Sequence, residues 1–150
     1  MSLLVFSARL QDLLVYSVKT YSQLAEETAL KRKSVYNWLK GVTYPTAESL
    51  LVLANYFQVS ADYIIGLNDV EEDMPKVEVS AEEAQKSIVK HLNAYKERRN
   101  ITYYRLAKLL GVGQGTMARW FKEGATPEMA ILIRISKLLD KSLDELLGRR

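Results

Sequence analysis

The chain has 150 residues, a mass of 17.1 kDa, 48% hydrophobic and 26% charged residues and a formal charge of +3, which is room for one ordinary globular domain or two small ones. It has no cysteine and a single histidine, His91, so disulfides, thiolate nucleophiles and clustered histidine metal ligands are excluded, and no enzyme, metal site or cofactor is expected. The apolar stretch 3–6 is too short for a signal core, and no run reaches the roughly 18 apolar residues of a membrane span, so a cytoplasmic protein is expected.

Apolar residues recur at helical spacing from the start, at Phe6, Leu10 and Leu13. Helices are predicted over 3–16, 21–28, 32–39, 46–57 and 61–65, with Gly41 and Pro45 punctuating the third and fourth and Ser60 capping the fifth. Residues 1–67, with six bases and five acids, form a first domain. An acidic stretch over 68–83, interrupted by Pro75, reads as a solvated linker. The second domain, 84–150, is basic, and its helices are predicted over 82–98, 103–110, 114–122, 127–139 and 143–147, so that the first of them starts inside the linker. Ser142 and Glu145 form a capping box at the last helix.

Sliding the chain on itself by 82 residues aligns Phe6–Gly66 with Ile88–Gly148 without a gap. Identities include Thr20/Thr102, Tyr21/Tyr103, Leu24/Leu106, Ala25/Ala107, Trp38/Trp120, Pro45/Pro127 and Asp62/Asp144. A period this long means tandem domains, since solenoid repeats run about 20–50 residues.

In each copy two short helices are separated by a three- to four-residue turn, the spacing of a helix-turn-helix. If Val35, Trp38 and Leu39 pack inward, Arg32, Lys33, Tyr36, Asn37 and Lys40 share the opposite face. Lys31 is a poor N-cap, and three consecutive cations at a helix start oppose the helix dipole by about 0.3–1 kcal/mol each, a sign that a bound phosphate would reverse. The second copy lacks that cluster; its positive charge lies in Lys96, Arg98, Arg99, Arg105, Lys108, Arg119 and Lys122. The two tryptophans belong to the apolar stripes and are assigned to the cores. Tyr36 fits a thymine methyl, a phosphate or simple cover of apolar surface, and Tyr21, Tyr103 and Tyr104 fit either packing or phosphate contact. His91 is assigned a solvent-facing structural role.

Thr20, Leu24-Ala25, Val35, Trp38, Gly41, Pro45 and the ending Val59–Gly66, with Thr102, Leu106-Ala107, Leu110–Val112, Trp120, Pro127 and Lys141–Gly148, resemble the Cro/lambda-repressor-like, or Xre-type, helix-turn-helix family. The resemblance implies an all-α chain of two tandem five-helix DNA-binding domains, with the second helix of each motif entering the major groove. It further implies Lys31, Arg32, Lys33 and Asn37 as base or phosphate contacts in the first copy, Gln114, Gly115 and Arg119 in the second, and Tyr21 and Tyr103 near phosphates. Ala29 stands where the family has a turn glycine, and a left-handed conformation there would cost an alanine about 1–2 kcal/mol.

The function expected is that of a sequence-specific double-stranded DNA-binding transcriptional regulator, a repressor, encoded by a bacterium or phage and associated with the nucleoid. The alternative is an adaptor or antitoxin-like protein whose second module dimerises or docks a partner. A linker of 17 residues, 68–84, could reach roughly 55 Å at about 3.3 Å per residue, enough for one chain to act as a pseudo-dimer on half-sites about 34 Å apart. The competing assembly is a homodimer through the second copies, using Met117 and Met129 as exposed apolar residues.

Overall fold

The computed structural model describes residues 3–150, as two units, the first ending at Val77 and the second beginning at Glu78. The first contains α1 (Leu3–Tyr16), α2 (Tyr21–Thr28), α3 (Arg32–Leu39), α4 (Ala47–Phe57) and α5 (Ala61–Ile65); the second contains α6 (Ala81–Arg99), α7 (Tyr103–Leu110), α8 (Gln114–Glu123), α9 (Met129–Leu139) and α10 (Leu143–Leu146). Among the described residues there is no strand, only an isolated antiparallel bridge between Val59 and Asp73. The chain is all-α, and the helices lie where the periodicity places them, to within two residues at each end.

Polar side chains start most of these helices. Thr20 and Gln23 form a capping box at α2, Ser80 and Glu83 at α6, and Ser142 and Glu145 at α10, while Thr46, Ser60 and Thr102 each accept one backbone N–H. In the first core Phe6, Leu10, Leu24, Leu50, Leu53, Ile64 and Ile65 are buried around Trp38, whose ring meets Phe6 edge-on at 6.3 Å. Ile88, Leu92, Leu106, Leu110, Leu132 and Leu143 do the same around Trp120. Both tryptophans are buried, as their place on the apolar stripes implies.

Two expectations are corrected. Met117 and Met129 are not exposed: each is 3% accessible, because the three-residue step from Met117 to Trp120 puts both on the inward side of α8, and Met129 opens the buried face of α9. Nor is the acidic segment a free linker throughout. Met74 is buried, the Ser60 N–H donates to the Glu72 carbonyl and the Met74 N–H to the Gln58 carbonyl, and Asn55 binds the backbone of Val77. Arg9 adds hydrogen bonds to the carbonyls of Tyr63 and Asn68 and pairs with Asp69 at 3.2 Å. Between the Val77 attachment and the Ser80 cap lie only Glu78 and Val79, so the 55 Å reach of a 17-residue tether does not apply. His91 is half-buried, with Nδ1 2.8 Å from the Ser87 carbonyl.

Candidate nucleic-acid interface

In the first unit α2 ends on Ala29 with φ 61° and ψ 17°, a left-handed residue, and Gly111 does the same after α7 with φ 70° and ψ 32°. The turn therefore keeps its geometry although its residue is alanine. After it Lys31 occupies the N-cap of α3 without capping through its side chain. Val35 and Trp38 face the core, Arg32, Lys33, Tyr36 and Lys40 are exposed, and Asn37 is half-buried.

The other end of α3 is held. Ser7 Oγ and Gln11 Nε2, both on α1, donate to the Leu39 carbonyl at 2.6 and 3.0 Å, satisfying an acceptor that the helix end leaves open. In the second unit the buried Gln85 of α6 donates through Nε2 to the carbonyls of Trp120 and Ala125 at 2.7 and 3.1 Å. The pairs are not sequence equivalents, since Ser7 and Gln11 align with Val89 and Asn93; the same physical need is met from different positions.

The exposed face of the first unit is one continuous array. Arg32 donates to Ser22 Oγ at 2.9 Å and its guanidinium lies 5.8 Å from the Tyr21 ring centre. Tyr21 meets Tyr36 edge-on at 6.3 Å, and Lys40 Nζ stands 5.4 Å from the Tyr36 ring. Sequence reasoning grouped Arg32, Tyr36 and Lys40 on one face; it did not find Ser22, whose only local signal is its place in the first turn of α2.

In the second unit Gly113 caps α8 with no side chain, and Gln114, Gly115, Arg119 and Lys122 are exposed. A Cβ at Gly113 or Gly115 would meet nothing within 4 Å, so the packing of the unit does not demand glycine at either place. Arg119 Nη2 donates to Thr116 Oγ1 at 3.2 Å. Tyr103 donates to Asn93 Oδ1 at 3.3 Å and stacks edge-on with Phe121 at 5.1 Å, while Lys96 Nζ lies 4.6 Å from its ring. Arg98 and Arg99 stand over Tyr95 at 6.0 and 5.4 Å, so much of the positive charge of this unit is spread over aromatic surface around the C-terminus of α6.

Among the described residues no helix is long and apolar enough to cross a membrane, and no group of histidine, aspartate and glutamate side chains is placed to hold a metal ion. A helix-turn-helix family model matches residues 19–64 and again residues 92–146. No curated protein and no solved structure matches the chain. The two matches cover the two turn geometries just described, α2–α3 and α7–α8: the chain belongs to the Cro/lambda-repressor-like helix-turn-helix family of DNA-binding regulators and carries its motif twice.

Proposed function

We propose that the protein is a sequence-specific repressor that binds double-stranded DNA, with α3 as its principal reading helix. The observation that carries this reading is the exposed cationic start of α3: Lys31, Arg32 and Lys33 gather where the helix dipole disfavours them and where the N-cap supplies no side-chain acceptor. Duplex phosphates turn that cost into attraction. Arginine reading guanine and Asn37 reading adenine are the side-chain chemistry of the major groove. In this reading Tyr21 and Lys40 hold the backbone, Tyr36 orders Tyr21, and Gln114, Gly115, Arg119 and Lys122 form a second contact surface, with Tyr103 beside it.

Selection of bound duplexes from a random pool tests the proposal. An enriched motif containing guanine and adenine, lost on substitution of Arg32 or Asn37, supports it; recovery of no motif from the intact chain overturns it. Whether one chain spans both half-sites or two chains pair is read from sedimentation with the selected duplex. Partner docking by the second unit is the alternative reading, favoured by one observation: the start of α8 carries glycines and a glutamine where α3 carries cations.

A further inference from the structure

Tyr36 and Ala118 hold the same place in the two copies, and so do Leu39 and Phe121. In the first unit the Tyr36 ring occupies the space beside the start of α2. In the second, Ala118 leaves that space open and Tyr103 packs on Phe121 instead. The outcome is a hollow of about 470 Å³ between α6, α7 and α8, within the range of small-molecule sites.

The lining has a definite chemistry. Tyr103, Tyr104 and Phe121 supply aromatic surface, Asn93 and Gln114 supply two carboxamides, Lys122 supplies a cation, and no carboxylate lines the hollow. Lys108 Nζ, 5.0 Å from the Tyr104 ring, and Lys96, over Tyr103, add positive charge at its edge. Aromatic faces stack planar bases, carboxamides offer both a donor and an acceptor to a base edge, and lysines take phosphate. A purely apolar ligand would leave the amides unused, and a simple anion would leave the rings unused. We propose that this hollow binds a nucleotide, its base against the Tyr103, Tyr104 and Phe121 surface and its phosphate toward Lys122. The site goes beyond the duplex-reading function and does not require it, although Tyr103, Gln114 and Lys122 are shared.

The test uses the full chain, the four 5′-mononucleotides, the matching nucleosides, inorganic phosphate and a short single-stranded oligodeoxynucleotide, with amide chemical shifts as the readout. The expected result is that at least one mononucleotide shifts amides around Val89–Asn93, Tyr103–Tyr104 and Gln114–Lys122, and that its nucleoside and phosphate each bind more weakly. Ala118→Tyr and Phe121→Leu place in the second unit the residues that the first already folds with, and each should weaken mononucleotide binding about tenfold with the amide dispersion of the unit unchanged. If the single strand binds more tightly at the same amides, the base comes from a strand; if not, from a free nucleotide, and either supports the proposal. Phosphate matching the mononucleotide, shifts elsewhere, no binding by any probe, or undiminished binding by both folded variants would overturn it. Because no duplex is present, this outcome is independent of the random-pool selection.

Discussion

Asn55 grips Val77 through both groups of one peptide-like side chain: its Nδ2 donates to the Val77 carbonyl at 3.0 Å while its Oδ1 accepts the Val77 N–H at 3.2 Å. A carboxamide on α4 thereby substitutes for a neighbouring strand at the end of the acidic segment. Asn55→Ala should release Met74–Val77, lower the stability of the first unit by about 1–3 kcal/mol, and speed proteolysis within residues 72–77. Limited proteolysis read by mass spectrometry, beside thermal unfolding, measures both; unchanged cleavage would show that Met74 burial alone holds the segment.

Val18 lies at φ 55°, a left-handed conformation that a β-branched side chain resists, and the second unit has Asn100 at the equivalent place with φ 53°. Val18→Asn should raise the stability of the first unit by about 1 kcal/mol, and Ala29→Gly by somewhat less, since added freedom in the unfolded chain offsets part of the relieved strain. Denaturant midpoints of the two variants, against slopes that stay constant, decide the matter.

Helix ends were legible in the sequence because caps, glycines and prolines act within a few residues, and the Ser142–Glu145 box is an example. The tandem plan was legible because Trp38 and Trp120 anchor an ungapped alignment. Part of what escaped depends on partners distant in sequence. Nothing local in Met74 announces that Gln58 and Ser60 will bind its segment, and acidic neighbours argue for solvent. The Arg149–Asp144 ion pair, both side chains at most 1% exposed, escaped for a different reason: its partners are only five residues apart, but an arginine among charged neighbours ordinarily reads as a solvated charge. Among the candidate contact residues, helical spacing found Arg32, Lys33, Tyr36 and Lys40 on the exposed face of α3, whereas Asn37, expected with them, is half-buried. Spacing did not find that Tyr103 packs on Phe121 where Ala118 supplies no ring, because that depends on how α7 and α8 pack together rather than on the pattern within either helix.

The Glu145 carboxyl is held below its ordinary range chiefly by the backbone N–H of Ser142; burial works against this, and the Ser142 hydroxyl and the charges of Lys141 and His91 add smaller contributions to the lowering. Glu83 is lowered in the same direction at α6, first by the Ser80 backbone N–H. A carboxyl lowered on folding stabilises the protein above its unfolded pKa, about 4.3 for glutamate, and loses that contribution as the pH falls through the folded value. Glu145→Gln with Glu83→Gln keeps a cap of the kind Gln23 makes at α2 while removing the titration. Stability of the double variant should fall less steeply below about pH 4.5 than that of the parent, as followed by urea unfolding at several pH values.

Replacing Lys31, Arg32 and Lys33 by Ser, Gln and Gln should leave the fold intact, with a gain of about 0.5–2 kcal/mol from the new N-cap, while duplex affinity falls and its dependence on salt becomes shallower. Binding isotherms at several salt concentrations give both quantities. A variant that unfolds, or one that binds its selected duplex as tightly as before, would remove α3 from the proposed reading role.

The second helix of each helix-turn-helix is tied at one end and bare at the other: Ser7 and Gln11 secure the close of α3, Gln85 that of α8, and neither Lys31 nor Gly113 caps its start with a side chain. Such a helix opens from its first turn, so the amides most ready to exchange with solvent deuterium are those nearest a phosphate in the proposed complex. Fraying of this kind is local and needs no movement of the core. An arriving anion meets donors that no side chain has claimed, and its capture would register first as slowed exchange in the opening turn of α3.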